Sequence, residues 1–127
     1  MAPDFAIGPI GQIAIRARDV ARASAFYRDI LGLRHLFDAG PTLSFFDCGG
    51  VRLMLSPAEN PEFDHPGSVL YYRVADIHTA YDTLKARGVT FIDAPHLIAK
   101  LPDHDLWMAF LRDSEDNVLA LMGEVRK

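Results

Sequence analysis

The amino-acid sequence predicts an α+β fold of two βαβββ modules, whose mixed sheets curl around a cavity. Three observations carry this. The order strand, helix, three strands occurs twice along the chain. An aspartate stands where each helix should begin and a glycine where each should end: Asp19 and Gly32 in the first copy, Asp76 and Gly88 in the second. The chain has 127 residues, 50% of them hydrophobic, which suits one domain with a real core. Module one is expected over residues 8–57, a linker over 58–67 and module two over 68–123.

The elements follow in order. From Ile10 to Ala17, Gln12, Ala14 and Arg16 share one face and Ile13, Ile15 and Ala17 the other, the period of a strand. Asp19 is placed to cap a helix, and Val20, Ala23, Tyr27, Ile30 and Leu31 recur at helical spacing up to Gly32. Strands are expected at Leu33–Phe37, Thr42–Asp47 and Val51–Leu55, with turns at Gly40-Pro41 and Cys48-Gly49-Gly50. The polar, Pro-rich stretch from Asn60 to Gly67 reads as the linker. Ser68–Val74 is the next strand, and Asp76 caps a helix with an apolar stripe of Ile77, Ala80, Tyr81 and Leu84. Strands are then expected at Thr90–Leu101, Leu106–Arg112 and Val118–Met122. Pro95 and Pro102 make the first of these irregular or an edge. In this repeat Asp47 corresponds to Asp113. One helix covers one face of each sheet, so the other face is left concave, a natural place for a ligand.

Bulk properties exclude some functions. A formal net charge of −4 and the lack of a basic tract give no reason to expect nucleic-acid or membrane-surface binding. Cys48 is the only cysteine, so no intrachain disulfide can form. Met1 to Gly8 does not resemble a signal peptide, and no stretch is apolar enough to span a bilayer, so a cytoplasmic location is expected.

The segment from Asp19 to Gly32, DVARASAFYRDILG, closely resembles the helix pattern of the vicinal-oxygen-chelate superfamily, the glyoxalase, bleomycin-resistance and extradiol-dioxygenase group. Asp113-Ser114-Glu115-Asp116-Asn117 resembles that group's D-P-D-G-N turn, with Pro and Gly replaced, and Val74-Ala75-Asp76-Ile77 resembles the start of its second module. The resemblance covers nearly the whole chain. It implies paired βαβββ modules and, commonly, a homodimer. It also implies four inward His, Glu or Gln side chains holding a divalent metal, which polarises vicinal oxygens while a carboxylate moves a proton. Counting from the helix and turn landmarks puts these four positions at Gln12, Met54, Val69 and Ala120. Only Gln12 has a donor for a hard ion. A register slip of one residue offers nothing better than Ser68, so neither a metal nor another cofactor is expected.

Alternation also proposes what lines the cavity: Gln12, Ala14 and Arg16; Arg52 and Met54; Val69, Tyr71 and Arg73; Val118, Ala120 and Met122. Arg52 and Arg73 are candidates to grip an anion, Tyr71 and Gln12 to hydrogen-bond a carbonyl or hydroxyl. The plainer reading puts the arginines at a rim or interface, paired with carboxylates, and the methionines in a wall. The hairpin from Pro95 to Met108 holds His96, His104 and the only tryptophan, Trp107. His96, His104 or Tyr71 could act as acid or base, and Trp107 could stack on a flat ligand. Equally, Asp103-His104-Asp105 could be a solvated turn and Trp107 core. Three functions remain open: binding a small, aromatic or anionic molecule without metal, metal-free lyase or isomerase chemistry, or a partner-binding module with a filled cavity.

Overall fold

Alternating residues form the first strand, β1, at Gln12–Arg16. The structure, a computed structural model, describes residues 5–58, 61–65 and 67–127. Glu59, Asn60 and Pro66 of the expected linker lie outside the described residues. Asp19 Oδ1 accepts the amide of Arg22 at 3.0 Å and so caps α1, Val20–Ala25. The helix then widens into a π-turn, Phe26–Ile30, where the Leu31 amide reaches back to the Phe26 carbonyl at 3.0 Å. Consecutive rings Phe26 and Tyr27 are both buried there. Gly32, at φ 80, turns the chain into β2, Arg34–Asp38, followed by β3, Ser44–Cys48, and β4, Val51–Ser56.

A single 3₁₀ turn, Pro61–Phe63, interrupts the linker, and Asp64 after it pairs with Arg16 at 3.0 Å and Arg18 at 3.4 Å. Module two opens with β5, Leu70–Arg73. Asp76 Oδ1 accepts the amides of His78 and Thr79 and caps α2, Ile77–Ala86; Gly88, at φ 87, leads the chain away from its end. The expected strand from Thr90 to Leu101 is broken into β6, Thr90–Phe91, and β7, His96–Lys100. Pro95, which has no amide to donate, sits in the break. The last hairpin is longer than its apolar pattern indicated: β8 covers His104–Arg112 and β9 Val118–Arg126. Among the described residues no helix is long and apolar enough to cross a membrane.

Both modules have the same topology. Sheet one runs β1-β4-β3-β2, and sheet two runs β5-β9-β8-β6 with β7 also on β8. The outer β1 and β5 run parallel to β4 and β9, and the other pairs are antiparallel. One face of each sheet packs on the helices: Phe46, Leu53 and Leu55 belong to the same buried cluster as Leu111, Leu119 and Leu121. Gly123 lets β9 pass close to α2, since a Cβ there would stand 3.0 Å from Ile77 Cβ.

Polar clips also join the modules. The Tyr27 hydroxyl donates to Asp113 Oδ2 at 2.7 Å, and Asp113 Oδ1 accepts the amides of Glu115 and Asn117. Glu115 accepts the amides of Arg18 (2.7 Å) and Asp19 (3.3 Å) and pairs with Arg22 at 2.9 Å. Arg87, just past α2, donates to the Ile30 carbonyl at 2.8 Å.

Candidate functional site

Strand alternation gives each sheet a second face, turned away from its helix. On sheet one the register aligns Gln12 with Arg52, Ala14 with Met54, and Phe45 with Met54. These side chains form one connected group. Arg52 Nε donates to Gln12 Oε1 at 2.8 Å, and Gln12 Nε2 lies 3.6 Å from Met54 Sδ. The Arg52 guanidinium sits 5.2 Å above the Phe45 ring, and that ring stacks on Phe37 at 4.6 Å.

On sheet two the register aligns Tyr71 with Ala120, Phe110 with Ala120, Arg73 with Met122, and Met108 with both Met122 and His96. Ala120 is completely buried, because rings lean over it. Phe110 stands between Tyr71, edge-to-face at 5.9 Å, and His96, near-parallel at 6.3 Å. His96 Nδ1 lies 3.0 Å from the Ala94 carbonyl and 3.6 Å from Asp93. Donation to that carbonyl leaves Nε2 of the neutral ring as an acceptor. Tyr71 is about half exposed, so its ring forms part of an accessible surface. Among the described residues the Arg73 side chain makes no hydrogen bond or ion pair.

The structure thus brings together Gln12, Arg52 and Met54 on one sheet and Tyr71, Arg73, His96, Ala120 and Met122 on the other. Val69 lies just before β5 and is half-buried. Trp107 is on the opposite face of β8 from Met108, packed against the apolar core and 5.3 Å from the His78 ring. Alternation turns Trp107 inward, away from the face that carries Phe110, three residues on. His104 is bound at the sheet end by Asp103 at 2.7 Å, with Glu124 at 3.9 Å. Among the described residues no three His, Cys, Asp or Glu side chains gather as a metal site would require.

Phe37, Phe45, Met108 and Phe110 were not expected at the site. The sequence pattern places only the first and last strands of each module on the concave face. The register of the inner hairpins places these four residues beside them. The described clefts lie mostly between the modules. One of about 550 Å³ is lined by Leu33, Cys48, Tyr71 and Tyr72, and another of about 320 Å³ by Leu33, Tyr72, Leu84 and Arg87. Burial, and then nearby Asp47, push the Cys48 thiol above its ordinary pKa, so it is held as the thiol.

Comparison with known proteins agrees with this architecture. No curated protein sequence matches the chain. Among solved structures, a glyoxalase/bleomycin resistance protein/dioxygenase superfamily member from Sphaerobacter thermophilus has 24% identity and a TM-score of 0.78, over 93% of this chain and 98% of that one. A lactoylglutathione lyase from Agrobacterium tumefaciens has 23% identity and a TM-score of 0.70, over 92% and 94%. An antibiotic-binding protein from Streptomyces has 24% identity and a TM-score of 0.75, over 94% and 98%. These likenesses concern the fold. The sequence pattern of one family matches residues 9–102, which span the first module, α2 and the strand of His96. With its paired βαβββ modules, the chain therefore belongs to the glyoxalase/bleomycin resistance protein/dioxygenase superfamily.

Proposed function

We propose that this protein binds a small molecule with a flat, largely apolar body on the concave faces of its sheets, without the superfamily's divalent metal. The row Tyr71–Phe110–His96 over Ala120 carries this reading. The donor set fits no hard cation. Ala120 and Val69 offer no ligand atom, Met54 offers a soft thioether, and the Gln12 amide oxygen is engaged by Arg52. Rings that can stack on a flat molecule occupy the place instead. The antibiotic-binding relative supports the reading, since the same fold serves small-molecule capture in that protein. A homodimer would complete the site, a second copy covering faces that one chain leaves accessible.

The test is a fluorescence titration with polycyclic aromatic probes, with and without chelator. Binding should be unchanged by EDTA and should weaken about tenfold or more in Phe110→Ala, the loss of a stacked ring. Binding abolished by EDTA and restored by a divalent ion would refute the metal-free reading. Conversion of a bound probe, lost in His96→Gln, would favour acid–base chemistry instead.

A further inference from the structure

Of the ten arginines in the sequence, two lie on the faces of the candidate site, Arg52 beside a ring and Arg73 two residues along β5 from Tyr71, and the structure distinguishes them. Arg52 is committed: its Nε holds Gln12 and its plane lies on Phe45. Arg73 is not. It is two residues from Tyr71 on the same face of β5, is aligned with Met122, and is exposed. Most of the other arginines are engaged: Arg16 and Arg18 by Asp64, Arg22 by Glu115, Arg28 by Asp29, Arg87 by a carbonyl, and Arg126 by Asp103 and Glu124. Among the described residues only Arg34, on β2, shares the freedom of Arg73, and it belongs to the other sheet. The whole chain carries a net charge of −4, so carboxylates to neutralise an arginine are plentiful, yet among the described residues none does so at Arg73.

We infer that Arg73 reads an anionic group on the ligand, and that the ligand class is an aromatic acid: a fused or substituted arene with one carboxylate. This rests on the reading of the concave face as the binding surface. The arene lies along Tyr71, Phe110 and His96, and its carboxylate extends along β5 to the Arg73 guanidinium. A guanidinium offers two parallel N–H donors that match a carboxylate's two oxygens, which a lone ring edge or the Met122 thioether cannot. The pairing discriminates because a neutral amide in the same place accepts only one of those bonds and carries no charge. Arg52, already holding Gln12 and facing Phe45, contributes shape and does not choose between the two.

The experiment compares anthracene-9-carboxylate with neutral anthracene-9-carboxamide, by fluorescence titration of the full chain at low salt. Wild-type protein should prefer the carboxylate by at least about tenfold, as a charge-assisted pair implies. In Arg73→Gln that preference should fall to within about twofold, chiefly through lost carboxylate affinity. Arg73→Lys should retain part of it, and salt should erode it in the wild type but not in Arg73→Gln. In Arg52→Gln both probes should weaken alike. A carboxylate preference that survives Arg73→Gln overturns the assignment of Arg73. Equal binding of both probes to the wild type, still sensitive to Phe110→Ala, overturns the aromatic-acid class and leaves the surface standing. Failure of both probes to bind, or binding indifferent to Phe110→Ala, overturns the surface reading and this inference with it.

Discussion

Two tyrosines with buried hydroxyls show how far one hydroxyl depends on its neighbours. Tyr27 is fully buried and its hydroxyl donates to Asp113, whereas the Tyr72 hydroxyl is buried with no partner among the described residues. Tyr27→Phe should therefore destabilise the protein by about 1–3 kcal/mol in urea unfolding, since it strips a donor from a buried carboxylate. Tyr72→Phe should be neutral or stabilising in the same assay, because it removes a group whose desolvation nothing offsets. Burial, with Asp113 close to both and Cys48 adding to it, drives the two phenol pKa values up. The folded state then holds these protons more tightly than the unfolded state does. Their contribution is complete below the ordinary phenol value near about 10 and declines as pH rises above it. Stability should fall through that alkaline range, and less steeply in Tyr72→Phe. At this scale the sequence was readable where a side chain's face follows from its own strand, as with Tyr71, Arg73 and Ala120. It was not readable for Phe110 or Trp107, because Leu106–Leu111 is apolar on both faces and no polar residue there marks which face is outward.

Among the elements, caps and periodicity were the legible part. Asp19, Asp76, Gly32 and Gly88 stand at the helix boundaries where their chemistry places them. The π-turn after α1 was not legible, since Phe26 and Tyr27 could each be buried by a shift of ordinary helix phase. The correspondence of Asp47 with Asp113 holds only in part. Both accept amides of their own turns, but Asp113 is buried and ties in Tyr27, whereas Asp47 is half-buried and aligned with Arg52. Glu115 joins one turn to the start of another module's helix. Burial alone would raise its pKa, but the Arg18 amide, then Arg22 and the Asp19 amide, pull it below its ordinary value. Its contribution is present above the ordinary carboxylate range and is lost as pH falls through the lowered value. Glu115→Ala should cost about 2 kcal/mol at pH 7, and little at a pH where the carboxylate is protonated in both states. Gly123→Ala should cost about 1–3 kcal/mol by pushing α2 off β9, and pairing it with Ile77→Ala should recover part of the space though not the burial; thermal unfolding of the single and double variants measures both.

For the molecule as a whole, the repeat and the superfamily were legible because each module repeats a covalent order of elements that a single sequence displays. The site was legible only in outline. Two of its rings, Phe45 and Phe110, come from inner strands, and a single sequence does not state the register between strands. The accessible faces give the assembly its own prediction: sedimentation should report a species of twice 14.1 kDa, and Tyr71→Glu should shift it toward one copy if that face is shared. The clip between Glu115 and the start of α1 has a further consequence during synthesis. The amides of Arg18 and Asp19 wait for an acceptor that lies 97 and 96 residues downstream. On the ribosome the first helix therefore emerges long before its closing partner is translated. Until Glu115 has emerged those two amides are held by water, so the clip closes only once both modules are present, and it ties the start of α1 to the folding of the β8–β9 turn.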